Sequence, residues 1–314
     1  MKAVIWTKYG PPEGLQLEEV DRPTPKDNEV LIRVCAATVT AGDCEARSLK
    51  FPLHLSFPMR MYIGFIRPTR VKILGQELSG EVEAVGKDVR LFKVGDQVFG
   101  TTGFNFGAYA EYVCLPESPE KAMLAGVLAT KPTNMPHDEA AAVPTGGLEA
   151  LHFLRKGSIE SGQKVLINGA GGSIGTWGVQ LAKHFGAEVT GVDSTGKLDM
   201  LRSIGADRVI DYTQEDFTKS GETYDVILDV VGKSPFLGSI RSLAQNGRYL
   251  LANPKLSQML RGPWISMTSS KKVIFGAASP TTEDLVFLKQ LIEAGKIKTI
   301  IDRRYPLAQT ADAH

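Results

Sequence analysis

Only three cysteines occur in this chain of 314 residues, Cys35, Cys44 and Cys114. An odd, widely spaced set excludes a disulfide framework and suits a reducing compartment. There is no Cys-x-x-Cys or His-x-x-x-His pair, so the sequence indicates no zinc site. No apolar run is long enough to span a bilayer, and the opening MKAVIWTKYG lacks the apolar core of a signal peptide, which makes the cytosol the expected location. Charge excess is missing too. Thirty-six basic residues face thirty-five acidic ones, a formal charge of +1, which gives no electrostatic reason to expect nucleic acid or a membrane as partner. Internal repeats and low-complexity tracts are absent. What remains, 43% hydrophobic and 23% charged residues, is the composition of a soluble globular protein whose length favours two domains.

The chain is organised around Val165 to Asp193, which reads as strand, glycine turn, helix, strand. Val165, Leu166 and Ile167 form the continuous apolar run of a parallel strand buried on both faces. Gly169, Gly171 and Gly172 then let the backbone approach a bulky group. Ile174, Trp177, Gly178, Leu181, Ala182 and Phe185 recur on one helical face until Gly186, and a second strand, Glu188 to Val192, ends on Asp193. A helix N-terminus facing a glycine turn favours an anion such as a pyrophosphate, held by Gly169, Gly171, Gly172, Ser173 and Ile174. The spacing through Gly169, Gly172 and Gly175 is G-x-x-G-x-x-G, and the acid stands eighteen residues past Gly175. That context makes a dinucleotide the preferred ligand. The same residues, Gly171 to Gly175, also match the G-x-S-x-G nucleophile elbow of serine hydrolases. Beyond Ser173, however, the chain offers only His184, on the same helix, and His314, the last residue, and neither is placed to act as its base.

Around this unit the chain changes character near residue 120. Before it, short runs at Lys2 to Trp6, Leu15 to Val20, Glu29 to Ala37, Ser79 to Val85, Gln97 to Phe99 and Ala110 to Leu115 read as strands of an antiparallel barrel or sandwich. Leu49 to Arg70, aromatic and basic, carries Pro52, Pro58 and Pro68, which argue against a single helix; it is either a lid or pocket wall, or a packed insertion. After it, Pro136 to Gly157 is helical. A helix through Leu198 and Leu201 follows Asp193, and strands follow at Arg208 to Ile210, Tyr224 to Val231, Arg248 to Leu251 and Lys272 to Phe275. Gly232 opens the turn after the apolar strand Tyr224 to Val231. Ser279-Pro280 is expected to cap a last helix through Leu285, Leu288 and Ile292. The alternation predicts a doubly wound parallel sheet.

Taken together, MKAVIWTKYGPPEGLQLEEV, EVLIRVCAATVTAGD, LGQELSGEVEAVGKDVRLFKVGDQVFG, GAYAEYV and AGGSIGTWGVQLAKHFGAEVTGV resemble the medium-chain dehydrogenase/reductase superfamily over the whole chain. The nearest resemblance is to its zinc-independent quinone oxidoreductase and enone reductase branch. It implies an α/β Rossmann domain, residues 120–279, and a β-rich GroES-like catalytic domain, residues 1–119, rejoined by 280–314. Where zinc-dependent members carry Gly-His-Glu, this chain has Gly75, Gln76 and Glu77, and an amide is a poor zinc ligand. Cys44, near the place of a zinc-binding cysteine, reads as a packed residue.

The implied chemistry is metal-free hydride transfer from reduced nicotinamide to a quinone or a conjugated carbonyl. The resemblance places the reacting ring near Thr40 and Asp43, the turn at Thr145, and Val231-Gly232. Thr40 stands where asparagine is usual, and Glu149 where threonine is usual; Glu149 is expected to turn to solvent. Tyr62 and Tyr109 are the phenols that could donate a proton. Asp193 favours NAD, whereas Ser194 and Lys197 resemble the residues that hold the 2′-phosphate of NADPH; NADPH is the expected cofactor and NADH the alternative. A homodimer through the strand near Val273 and Ile274 is a further expectation, as is a continuation of the helix begun by AQTADAH beyond His314. A dinucleotide-binding protein with little turnover and a serine hydrolase remain the competing functions.

Overall fold

The structure, a computed structural model, describes residues 1–51 and 53–314. They fall into two compact units, one of Met1–Thr145, Pro280–Glu293 and Thr299–His314, the other of Gly146–Ser279 and Ala294–Lys298.

In the first unit, β1 (Lys2–Trp6) and β2 (Leu15–Glu19) form an antiparallel pair. β3 (Glu29–Ala37), β4 (Glu77–Val85), β5 (Gln97–Thr101), β6 (Tyr112–Pro116) and β7 (Val127–Thr130) build an antiparallel sheet in the order β6-β3-β4-β5-β7. Residues 120–145 lie in this unit, because β7 adds to β5 on the edge of that sheet. Alternation along the strands buries Val30, Ile32, Leu78, Val82 and Val98 in one cluster. A second cluster gathers Trp6, Leu15, Ile63, Leu74 and Tyr109.

Helix α1 (Ala41–Ser48) follows β3, and α2 (Leu53–Ile63) occupies half of the aromatic insertion. A helix forms there although Pro58 lies inside it, since one missing N–H leaves the other bonds of an eleven-residue helix in place. Gly64, at φ +145°, ends it. The role of Pro52 as a helix breaker lies outside the described residues. Buried Ile63 and half-buried Met59 and Tyr62 pack into the core, while Phe57, Met61, Phe65 and Ile66 are exposed, so the described side chains of the insertion divide between the core and solvent. The short α3 (Ala122–Ala125) and α4 (His137–Ala141) precede α5 (Pro144–Lys156), which crosses the boundary between the units in sequence.

The second unit is the doubly wound sheet. β8 (Lys164–Asn168), α6 (Ser173–His184), β9 (Glu188–Asp193), α7 (Leu198–Ser203), β10 (Arg208–Asp211), β11 (Tyr224–Asp229), α8 (Phe236–Arg241), β12 (Leu243–Leu251), α9 (Leu256–Thr268) and β13 (Lys272–Phe275) follow one another, with an α-helix between successive strands except between β10 and β11. All six strands are parallel, in the order β10-β9-β8-β11-β12-β13. With chain order reversing between β8 and β11, the carboxyl edge there is where such sheets bind dinucleotides. Helix α9 has little local signal in the sequence, since Gly262 and Pro263 stand in its middle.

The chain then returns through α10 (Thr282–Glu293), capped by the hydroxyl of Thr281, which accepts from Asp284 N at 3.1 Å, rather than by Ser279-Pro280. Residues 294–298 rejoin the second unit. There the amide of Gln180 on α6 donates to Lys298 O at 3.0 Å and accepts from Lys298 N at 2.8 Å. Helix α11 (Thr310–Ala313) closes the described chain. Among the described residues no helix is long and apolar enough to cross a membrane.

Candidate functional site

The glycine turn after β8 sits where sheet order reverses. Gly169 has φ +84°, and a Cβ there would lie 2.4 Å from Val231 Cγ2, so only glycine lets the β8 and β11 turns come this close. Gly175 sits against backbone: a Cβ would stand 2.2 Å from Gly169 O and 2.6 Å from the carbonyl carbon of Ala170. No side chain caps α6, whose N-cap is Gly172. The first N–H groups of a twelve-residue helix therefore open on the turn beside Ser173 and Ile174, a cradle that fits a pyrophosphate. Gly146, at the start of α5, was not singled out by the sequence. Its Cβ would meet Ser173 Oγ at 2.4 Å, so it is the absent side chain that admits α5 to this corner.

The adenosine end of such a ligand would meet Asp193. Its carboxylate is folded back: Oδ2 accepts from Gly171 N at 2.7 Å, and Oδ1 accepts from Ser194 N at 2.8 Å and from Ser194 Oγ at 3.3 Å. Exposed Lys197 reaches across and donates from Nζ to Gly171 O at 2.8 Å. Asp193, Ser194, Lys197 and Gly171 thus form one cluster.

Behind the turns lies a network that sequence reading missed. Asp229, at the end of β11 and wholly buried, accepts from Asn168 Nδ2 (2.9 Å), Gly232 N (2.8 Å), Val231 N (3.2 Å) and Tyr249 Oη (2.7 Å). Asn168 Nδ2 also donates to Ser234 Oγ at 2.7 Å. One carboxyl therefore ties the ends of β8, β11 and β12, and with them the two turns, Gly169 to Gly172 and Val231-Gly232. The only local signal was an acid closing an apolar strand.

The expected catalytic residues belong to the first unit. Thr40 is the N-cap of α1: its N and Oγ1 both donate to Asp43 Oδ2, at 3.0 and 2.7 Å, and Asp43 N donates back to Oγ1. Asp43 is fully buried and also accepts from Gly75 N at 3.2 Å; burial raises its carboxyl to about 6, opposed by these bonds. Tyr109 is 2% exposed, its ring lies where a Gly75 side chain would be, and its hydroxyl has no hydrogen-bond partner among the described residues. Burial, with Asp43 nearby, pushes that phenol well up. Tyr62 is half-buried and donates to Asn105 Oδ1 at 2.8 Å, with Arg70 stacked on its ring.

Glu77, seen in the sequence only as the last residue of Gly-Gln-Glu, is a buried acid on β4. It accepts from the Thr38 hydroxyl and from Thr145 N, and burial raises it to about 7. Because its folded value lies above the ordinary 4.5, Glu77 holds its proton in the fold after the unfolded chain has lost it. Its contribution to stability is therefore intact below about pH 4.5 and is lost as pH rises to about 7. Glu77→Gln, a permanent mimic of the protonated acid, should match the native protein at pH 4.5 and exceed it in stability at pH 8, as read by denaturant unfolding at both pH values; equal differences at the two would refute the buried-acid reading. Glu149, on α5, is half-buried rather than fully turned to solvent, and burial raises its carboxyl to about 7.

Two features bear on other chemistries. Among the described residues, no three His, Cys, Asp or Glu side chains come together to hold a metal ion. Ser173 is exposed, and His184 lies eleven residues along the same helix, roughly 16 Å away, so it is no base for that hydroxyl.

Known proteins agree with this architecture. Residues 26–124 match the alcohol dehydrogenase GroES-like domain, and residues 204–314 match the family described as zinc-binding dehydrogenase. The chain is 33% identical to a 2-methylene-furan-3-one reductase of Solanum lycopersicum, over 98% of this chain and 73% of that protein. It is 31% identical to a quinone oxidoreductase of Pseudomonas aeruginosa, over 100% and 94%. The structure of the quinone oxidoreductase from Coxiella burnetii superposes with a TM-score of 0.87 at 28% identity, covering 100% of this chain and 94% of that one. The chain belongs to the medium-chain dehydrogenase/reductase superfamily, in the branch of its quinone and enone oxidoreductases, and is an NAD(P)H-dependent oxidoreductase.

Proposed function

We propose that this protein uses NADPH to reduce an α,β-unsaturated carbonyl or a quinone, without a metal. The observation that carries the cofactor choice is the inward turn of Asp193. Both of its oxygens are engaged by Gly171 N and by Ser194, while the Lys197 ammonium stands exposed beside them. An acid that is already hydrogen-bonded within the loop competes poorly for ribose hydroxyls, and an exposed ammonium attracts a 2′-phosphate. We assign the pyrophosphate to the uncapped start of α6 with Gly169, Gly171, Gly172, Ser173 and Ile174, and the nicotinamide end to Val231 and Gly232. Reduced nicotinamide, when bound, supplies the hydride; the substrate's own conjugated oxygen takes up the electron pair and then a proton.

On the substrate side we assign Thr40 and Asp43 to shaping the pocket floor, since the Thr40 hydroxyl proton is already given to Asp43. Of the two phenols, Tyr62 retains access to solvent and Tyr109 does not, which makes Tyr62 the donor to test first. The relatives support the substrate class by what they reduce: a 2-methylene-furan-3-one in one case, quinones in the other.

The test is the initial rate of NADPH and NADH oxidation with a short-chain enone and with a benzoquinone, with and without a chelator, in the native protein and in Lys197→Ala. Turnover that survives the chelator and prefers NADPH is expected, with Lys197→Ala weakening NADPH by about tenfold or more and leaving NADH nearly unchanged. Tight cofactor binding with no turnover would make the protein a dinucleotide-binding module instead.

A further inference from the structure

Helix α9 is apolar on two sides. Its inner side is fixed by Gly262 and Ile265: a Cβ on Gly262 would stand 2.9 Å from Val273, and Ile265 packs against the core of the parallel sheet. On the outer side Leu256, Leu260 and Trp264 follow at four-residue steps, with Met267 three residues on, so all four share one face. They are 55%, 72%, 63% and 85% exposed. A surface helix ordinarily turns its polar residues outward, and a contiguous apolar stripe facing water marks a surface made to be covered.

The charge of the flanking sequence is one-sided. Between Asp229 and Glu283 there is no acidic residue and there are seven basic ones. Of these, Lys255 and Arg261 border the stripe and Lys272 opens the next strand, all three exposed. The near-zero net charge of the chain conceals this segregation. We infer that α9 is a docking helix that lies flat in the interface of an anionic lipid bilayer, its apolar stripe among the upper acyl chains and its flanking cations among the headgroups. Leucine, tryptophan and methionine bordered by lysine and arginine are the composition that such interfacial helices use. A second copy of the chain is a poorer occupant. A two-fold pairing of this face would bring Lys255, Arg261 and Lys272 toward the same cations of the other copy.

The inference is independent of catalysis and is tested with the full chain. Of the three tryptophans, Trp6 and Trp177 are buried, so Trp264 reports on the helix. Vesicles of phosphatidylcholine containing about 30 mol% phosphatidylglycerol should co-sediment the protein and shift its tryptophan emission to the blue, whereas phosphatidylcholine alone should bind it at least about tenfold less. Raising salt toward ~1 M, where the Debye length falls to ~3 Å, should release it. Leu260→Glu with Met267→Glu should abolish binding while melting temperature and NADPH binding stay unchanged. Absence of binding to the anionic vesicles would overturn the inference, as would binding indifferent to lipid charge and salt. A dimer that the double variant converts to monomer, with no lipid binding by the native protein, would assign the stripe to self-association and overturn it equally.

Discussion

Asp229→Ala should lower the unfolding free energy by about 3–5 kcal/mol, because deletion of one buried acceptor strands several donors at once. Asn168 Nδ2 keeps only Ser234, while Gly232 N and the Tyr249 hydroxyl lose their acceptor in a site closed to water. Burial, which by itself raises the Tyr249 phenol, persists in this variant and keeps the hydroxyl protonated. Tyr249→Phe removes one of these bonds and should cost about 1.5 kcal/mol, which separates loss of a partner from loss of the hub. Guanidinium unfolding of both variants is the measurement. If Asp229→Ala costs under about 1 kcal/mol, the carboxyl is not the tie between the strand ends. The same variant should weaken cofactor binding, since both turns it anchors belong to the assigned site.

The second large effect is expected at Gly175. Valine there must displace either the helix or the carbonyl of Gly169, since its Cβ alone would stand 2.2 Å from that oxygen. Overpacking of this kind costs about 1–3 kcal/mol in stability. The functional loss should be larger: a shift of about 1 Å at the start of α6 misaims the N–H groups that hold the pyrophosphate, and kcat/KM should fall by about 100-fold or more. Gly196→Ala is the control, because nothing lies within 4 Å of its Cβ position. Cofactor affinity within twofold of native in Gly175→Val would move the anion site away from the helix terminus.

Legibility followed the range of the forces involved. Strands such as Lys2–Trp6 and Glu29–Ala37 were readable to the residue because a short β-rich run bounded by turn residues is a local signal, and the apolar run Tyr224 to Val231 announced a parallel strand, two residues longer than β11. The glycine turn was readable because Gly169 and Gly175 are demanded by contacts within the same βαβ unit. The Asn168–Asp229–Tyr249 network was not, since its members lie 61 and 20 residues apart and meet only once the sheet is assembled. Glu77 was hidden for a different reason: a single acid in a strand looks solvent-facing until both strand faces are known to be covered. Helix α9 is hard to read because helical propensity is weakened at Gly262 and Pro263 and because apolar residues on two of its sides blur the helical period. Likewise, overall charge said nothing of a 53-residue stretch without an acid.

The interleaving of the two units constrains how the chain is born. A ribosome delivers Gly146–Ser279 as one continuous stretch, yet the piece that Gln180 clamps, at Lys298, emerges only after α10 has been made. The first unit waits longer still, for residues 299–314. Folding during synthesis can therefore begin with the parallel sheet but cannot finish domain by domain, and each unit must stay receptive while the other forms. Truncation from the C-terminal end should accordingly injure the N-terminal unit first, the reverse of what linear order suggests.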